Sequence, residues 1–93
     1  MSVVVIGLSH RSSPVELRER FAFAEARIPA TLQELRSAGI AQEAVILSTC
    51  NRVEIYTCTA LEPAHAFSAL KQFLASAHNY ASPFGEELYA LHE

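Results

Sequence analysis

The chain contains no aspartate; all ten of its acidic residues are glutamate. That absence argues against the carboxylate-rich loops that hold magnesium or calcium. Cysteine is scarce too, with only Cys50 and Cys58, and two cysteines read as free thiols rather than a disulfide framework. Neither stands at zinc-ligand spacing from His10, His65, His78 or His92, which are scattered along the chain. Charged residues make up only 18% against 51% hydrophobic, a balance that excludes disorder and demands a filled interior. The net charge of −3 is wrong for a surface that clamps a phosphate backbone throughout. No apolar run approaches the roughly 20 residues of a spanning helix. The opening Met1-Ser2-Val3-Val4-Val5-Ile6 has neither a basic flank nor a small-residue cleavage site, so it reads as a strand and the chain is expected to be cytoplasmic. There is no Gly-x-Gly-x-x-Gly dinucleotide fingerprint.

What is present fits one domain over residues 1–93, large enough for one core and no more. Residues 3–8 form a continuous, β-branched run expected to be a central strand covered on both faces. Ser13-Pro14-Val15-Glu16 combines a capping hydroxyl, a first-turn proline and a glutamate able to close a capping box, predicting a short helix over 14–21. A second helix is expected over 29–37, burying Leu32 and Leu35 and stopping at Gly39. Residues 44–49 and 53–57 read as strands, the latter alternating Val53, Ile55 and Thr57 against Glu54, Tyr56 and Cys58. A third helix starts at Pro63 with Phe67, Leu70, Phe73 and Leu74 along its apolar stripe. Pro83 and Gly85 break the chain before a last strand near 87–91. The order predicts an α+β, ferredoxin-like sandwich: a mostly antiparallel four-stranded sheet covered by helices on one face. The chain stops directly after that last strand, as a domain cut from a longer protein would.

The chemistry concentrates in Ser48-Thr49-Cys50-Asn51-Arg52, directly after the apolar Ala44-Val45-Ile46-Leu47. A thiolate gains nucleophilicity from nearby positive charge and backbone donors, and Arg52 stands two residues from Cys50. Turn amides could face a developing oxyanion, while Thr49 and Asn51 offer hydrogen bonds to an acyl or amino group. Such a site suits attack on an activated carbonyl to give a thioester. Free cysteine is more often a small buried hydrophobe, and Cys58, in an alternating strand without polar neighbours, reads that way. Ser9 and His10, at the exit of the first strand, are site-adjacent candidates. If that strand lies parallel beside the 44–49 strand, both exits meet at one sheet edge and His10 could orient a substrate or move a proton; a turn-stabilising role is the alternative. His65 and His78 are assigned no role. Arg11, Arg18, Arg20, Arg27 and Arg36 form either a local basic patch or a solvated helix face paired with Glu16, Glu19 and Glu34.

Two blocks carry a family resemblance. Gly7-Leu8-Ser9-His10-Arg11-Ser12-Ser13-Pro14-Val15-Glu16-Leu17-Arg18-Glu19 resembles the opening signature of glutamyl-tRNA reductase. Ala44-Val45-Ile46-Leu47-Ser48-Thr49-Cys50-Asn51-Arg52-Val53-Glu54-Ile55-Tyr56 resembles that family's catalytic-cysteine segment, in the same order and spacing. The resemblance implies that Cys50 attacks the ester of glutamyl-tRNA(Glu) and holds glutamate as a thioester. It matches Thr49, Asn51 and Arg52 to the substrate-binding stretch, with Arg52 suited to a glutamate carboxylate. It further implies reduction by NADPH to glutamate-1-semialdehyde in tetrapyrrole (porphyrin) biosynthesis, by a homodimeric full-length enzyme that works with glutamate-1-semialdehyde aminomutase. The family's NADPH-binding and dimerisation domains, and its catalytic-domain histidine, have no counterpart in this sequence, and His92 lies upstream of the segment that carries that histidine. No cofactor is therefore expected on this chain, nor completion of the reduction by it alone. The competing expectation is a non-catalytic RNA-binding module of ferredoxin-like shape; the acidic balance and the single central-strand aromatic, Tyr56, weigh against it.

Overall fold

The structure is a computed structural model and describes residues 1–80, 85 and 87–93. Alternation and β-branching produce four strands: β1 (Ser2–Ser9), β2 (Glu43–Ser48), β3 (Arg52–Thr59) and β4 (Tyr89–His92). Between them lie α1 (Val15–Phe21), a 3-10 turn (Glu25–Arg27), α2 (Ile28–Ser37) and α3 (Pro63–Ala77). The fold is α+β, with one sheet ordered β2-β3-β1-β4. Every neighbouring pair runs antiparallel. Among the described residues no helix is long and apolar enough to cross a membrane. The expected break at Pro83 lies outside the described residues.

The register sorts the side chains. Val4, Ile6 and Leu8 of β1 stand opposite Thr57, Ile55 and Val53 of β3, and Ile46 of β2 stands opposite Ile55. Of these, Val4, Ile6, Leu8, Ile46 and Ile55 meet Phe21 of α1, Leu35 of α2, and Ala66, Leu70 and Leu74 of α3 in one buried cluster. On α3 the buried stripe is Ala66, Leu70 and Leu74, while Phe67 and Phe73 pack beside it, half-buried. The helices thus cover one face of the sheet.

Double-sided cover of β1 is corrected. Val3 is 44% exposed and Val45, on the same outward face of β2, 62%. The β-branched run reflects fitness for a pleated strand rather than burial on both sides. The start of α1 also differs from the capping-box expectation. Pro14 is the N-cap and no side chain caps it. Ser13 Oγ instead donates to the Ser9 carbonyl at 3.0 Å, closing the loop that leads out of β1.

β1 and β2 are not neighbours, because β3 lies between them. Both nevertheless run antiparallel to β3, so their exits fall at one end of the sheet: Ser9 stands opposite Arg52 and Ser48 opposite Val53. That shared end carries the sequence's candidate residues.

Candidate functional site

Cys50 sits at the tip of the three-residue connection between β2 and β3, exposed and free of any disulfide. The hairpin builds this tip locally. Thr49 N–H donates to the Arg52 carbonyl at 2.7 Å. Thr49 Oγ1 accepts from the amides of Asn51 at 3.2 Å and Arg52 at 3.1 Å, a hydroxyl standing in for backbone as it does in turns generally. Those two amides are therefore occupied within the turn.

Two further ties fix the tip from outside. His10 N–H donates to the Asn51 carbonyl at 2.9 Å, joining the exit of β1 to the hairpin. Arg18 of α1 donates from Nε to the Cys50 carbonyl at 3.2 Å and from a terminal nitrogen to the Ser13 carbonyl at 2.5 Å. Arg18 thereby straps the hairpin to the helix layer, a contact the sequence reading did not single out. The Ser9 hydroxyl accepts the Arg11 amide at 3.2 Å, and the Ser9 carbonyl accepts the Ser13 hydroxyl. Ser9 is thus built into the turn, while the His10 side chain is exposed at its surface.

On the helix side of Cys50 lies a groove of about 270 Å³ whose lining includes Arg18, Glu19, Phe23, Ser48 and Thr49. Its wall is set by Ser48 Oγ, which accepts the Phe23 amide at 2.9 Å. Arg52 turns the other way: strand alternation sends it to the outward face, where its guanidinium lies 3.6 Å from Glu54. The outward face also brings the hydroxyls of Tyr56 and Tyr89 to the Glu54 carboxylate. Burial, and then the hydrogen bond to Glu54, push the Tyr89 pKa above its ordinary value. For Tyr56 the hydrogen bond to Glu54 is the largest of the causes that raise it. Glu54 and Tyr89 had no signal in the local sequence, because their contact spans 35 residues.

The other candidates separate. Cys58 is not a core unit; it is half-buried on the outward face, with Sγ 3.5 Å from Met1 Sδ. His78 does have partners: its ring nitrogens lie 3.0 Å from the Leu74 carbonyl and 3.3 Å from the Ala22 carbonyl. Its ring packs edge-on against Phe21 and Phe23, a structural role between the end of α3 and the end of α1. The clustered arginines bond carbonyls and amides more than glutamates: Arg20 donates to the Asn79 carbonyl and Arg36 to Gln33. Among the described residues no three His, Cys or Glu side chains gather as a metal site.

A profile of the family described as glutamyl-tRNAGlu reductase, N-terminal domain, matches residues 6–93. The glutamyl-tRNA reductase of Synechococcus sp. (strain RCC307) is 44% identical over 93 residues, covering 99% of this chain and 21% of its own length. That of Geotalea uraniireducens (strain Rf4) is 45% identical with the same coverage. The solved glutamyl-tRNA reductase from Methanopyrus kandleri superposes with a TM-score of 0.64 at 20% identity, over 95% of this chain and 18% of that one, a likeness of fold. The chain therefore spans 21% of the length of these curated relatives. With a profile match over nearly its whole length and relatives this similar, the chain belongs to the family of the glutamyl-tRNA reductase N-terminal domain.

Proposed function

We propose that this domain performs the acyl-transfer half of glutamyl-tRNA reduction, with Cys50 as the nucleophile. The observation that carries the reading is the exposed thiol at the tip of a hairpin pinned by Thr49, His10 and Arg18. A nucleophile held on a rigid turn loses little freedom on reaching its target. The Cys50 thiolate attacks the ester carbonyl of glutamyl-tRNA(Glu). The carbon–sulfur bond forms, the carbon–oxygen bond to the tRNA ribose breaks, and the ribose oxygen leaves with a proton taken from solvent, replacing the one the thiol released on ionising. Arg52 receives the glutamate side-chain carboxylate in charge-assisted hydrogen bonds. Asn51 and the Thr49 hydroxyl, which can still donate its proton while accepting two amides, orient the acyl group. Ser9 and His10 support the site through the turn they build.

The sheet order and the alternation of strands and helices support a ferredoxin-like sandwich, a single catalytic-type domain of a longer enzyme. In the family the thioester is reduced by NADPH to glutamate-1-semialdehyde for tetrapyrrole synthesis in the cytoplasm, by a homodimer that works with the aminomutase. Among the described residues, Gly7 and Gly39 do not supply the phosphate-binding turn that such a cofactor needs. Gly7 lies within a strand and Gly39 at the end of α2, and neither forms a glycine-rich turn leading from strand to helix. No hydride step is assigned to them.

The test incubates the chain with tRNA carrying labelled glutamate, quenches in acid and maps adducts by mass spectrometry. A glutamyl adduct on Cys50, absent in Cys50→Ser, is expected. Salt-dependent tRNA binding without an adduct, unchanged in Cys50→Ser, would replace this reading with the RNA-binding module.

A further inference from the structure

Glu54 is the exception on the outward sheet face. Alternation along β3 sends it toward solvent with Arg52 and Tyr56, yet it is only 4% exposed. A carboxylate is rarely buried so far unless it is paired. Its partners are Tyr56, whose hydroxyl donates to Oε1 at 2.7 Å, and Tyr89 of β4, whose hydroxyl donates to Oε2. The third is the Arg52 guanidinium, 3.6 Å from Oε2. Gly7 of β1 makes the arrangement fit, standing opposite both Glu54 and Tyr89 in the register. A Cβ there would lie 2.7 Å from Glu54 Cγ and 2.9 Å from the Tyr89 ring. Three strands are thus fitted around one carboxylate. Both hydroxyls keep their protons in the neutral range, as tyrosines do, and so act as donors to the carboxylate.

What this cluster faces is Arg52. The Arg52 side chain is 51% exposed, and at 3.6 Å its contact with Glu54 is electrostatic rather than a tight hydrogen bond. A guanidinium has five N–H donors, so one such contact leaves donors for a second carboxylate. A free arginine side chain, by contrast, must give up most of its rotamer freedom on binding. We propose that Glu54, buttressed by Tyr56 and Tyr89 over Gly7, is a positioning residue for substrate selection: it holds the Arg52 guanidinium on the outward face beside the Cys50 hairpin, ready for the side-chain carboxylate of the glutamyl group. This rests on the role given to Arg52 under Proposed function. Glu54 acts through Arg52 and touches no substrate.

The readout is the preference of Cys50 for glutamate over its neutral isostere. One tRNA is charged with glutamate or with glutamine, and the rates of acyl transfer to Cys50 are compared. Alkylation of Cys50 by iodoacetamide, which needs no carboxylate recognition, serves as the internal reference. Glu54→Gln should lower the glutamate preference about tenfold and Tyr89→Phe about threefold, with alkylation unchanged. In an Arg52→Lys background, Glu54→Gln should lower it no further, because the effect passes through the arginine. A preference that survives Glu54→Gln but is lost in Arg52→Lys overturns the positioning role and leaves the reading of Arg52 intact. A wild-type chain that takes no glutamyl group, or takes glutamine equally well, overturns both. Should Glu54→Gln fail to fold, Tyr89→Phe, which keeps the carboxylate, decides by the same comparison.

Discussion

Thr49 Oγ1 holds two amides at the Cys50 hairpin, so its removal should loosen the turn without touching the thiol. Each net hydrogen bond contributes about 0.5–1.5 kcal/mol. Thr49→Val should therefore lower the urea unfolding free energy by about 1–3 kcal/mol and speed amide exchange at Asn51 and Arg52. Tyr89 gives the second expectation at this scale. Its pKa is raised in the fold from an ordinary value of 10.0, first by burial and then by Glu54. A raised acid is stabilising while both states are protonated; that contribution is complete below the unfolded value and is lost as pH rises through it toward the folded one. Stability should fall above about pH 10 in the parent chain, and Tyr89→Phe should flatten that alkaline limb in urea titrations. Legibility at this scale divides sharply. Cys50 and Arg52 stand out because polar groups crowd five consecutive positions after an apolar run. Glu54 does not, because its neighbours Tyr89 and Gly7 reach it only through strand pairing.

The strands and α-helices were foreshadowed by local signals, alternation in some and cap or turn residues in others, and the departures fall where long-range contacts decide. The 53–57 strand extends to Arg52–Thr59, because Ser2 and Ser9 of β1 pair with its two ends. The separation of β1 from β2 by β3 follows from which hairpin closes, something the local pattern of either strand does not encode. The capping box at Ser13 was displaced by a competing bond, since the Ser9 carbonyl takes its hydroxyl. Gly7 is a sharper case: within β1 it resembles any strand residue, yet a Cβ would press into Glu54 and Tyr89 at 2.7 and 2.9 Å. Its backbone is ordinary, so the penalty is steric. Gly7→Ala should cost about 1–3 kcal/mol, as overpacking does, and most of that should vanish in a Glu54→Ala/Tyr89→Ala background, where neither side chain blocks the methyl group. Equal losses in the two backgrounds, measured by urea unfolding, would trace the penalty to the strand itself.

At the scale of the whole molecule the sheet has two unlike faces. Helices cover Val4, Ile6, Leu8 and Ile55, all nearly inaccessible. Across the backbone, Val45 and Leu91 remain 62% and 60% exposed, with Tyr56 at 38%. Composition could not separate the faces of β1 and β2, whose outward residues are nearly as apolar as the inward ones; there the helix placement tells which strand residues are core, whereas β3 was sorted by its own alternation. The difference should be large in energy. Ile55→Ala removes buried methylenes from the core cluster, at a position flanked by Ile6 of β1 and Ile46 of β2, and should cost about 2–5 kcal/mol. Val45→Thr changes a similar branched side chain on the open face and should stay within about 0.5 kcal/mol, since its hydroxyl meets water and little apolar area is lost. Urea unfolding of both variants checks this directly. Comparable losses would mean that the outward face is covered in solution as well, and that β2 is packed on both sides.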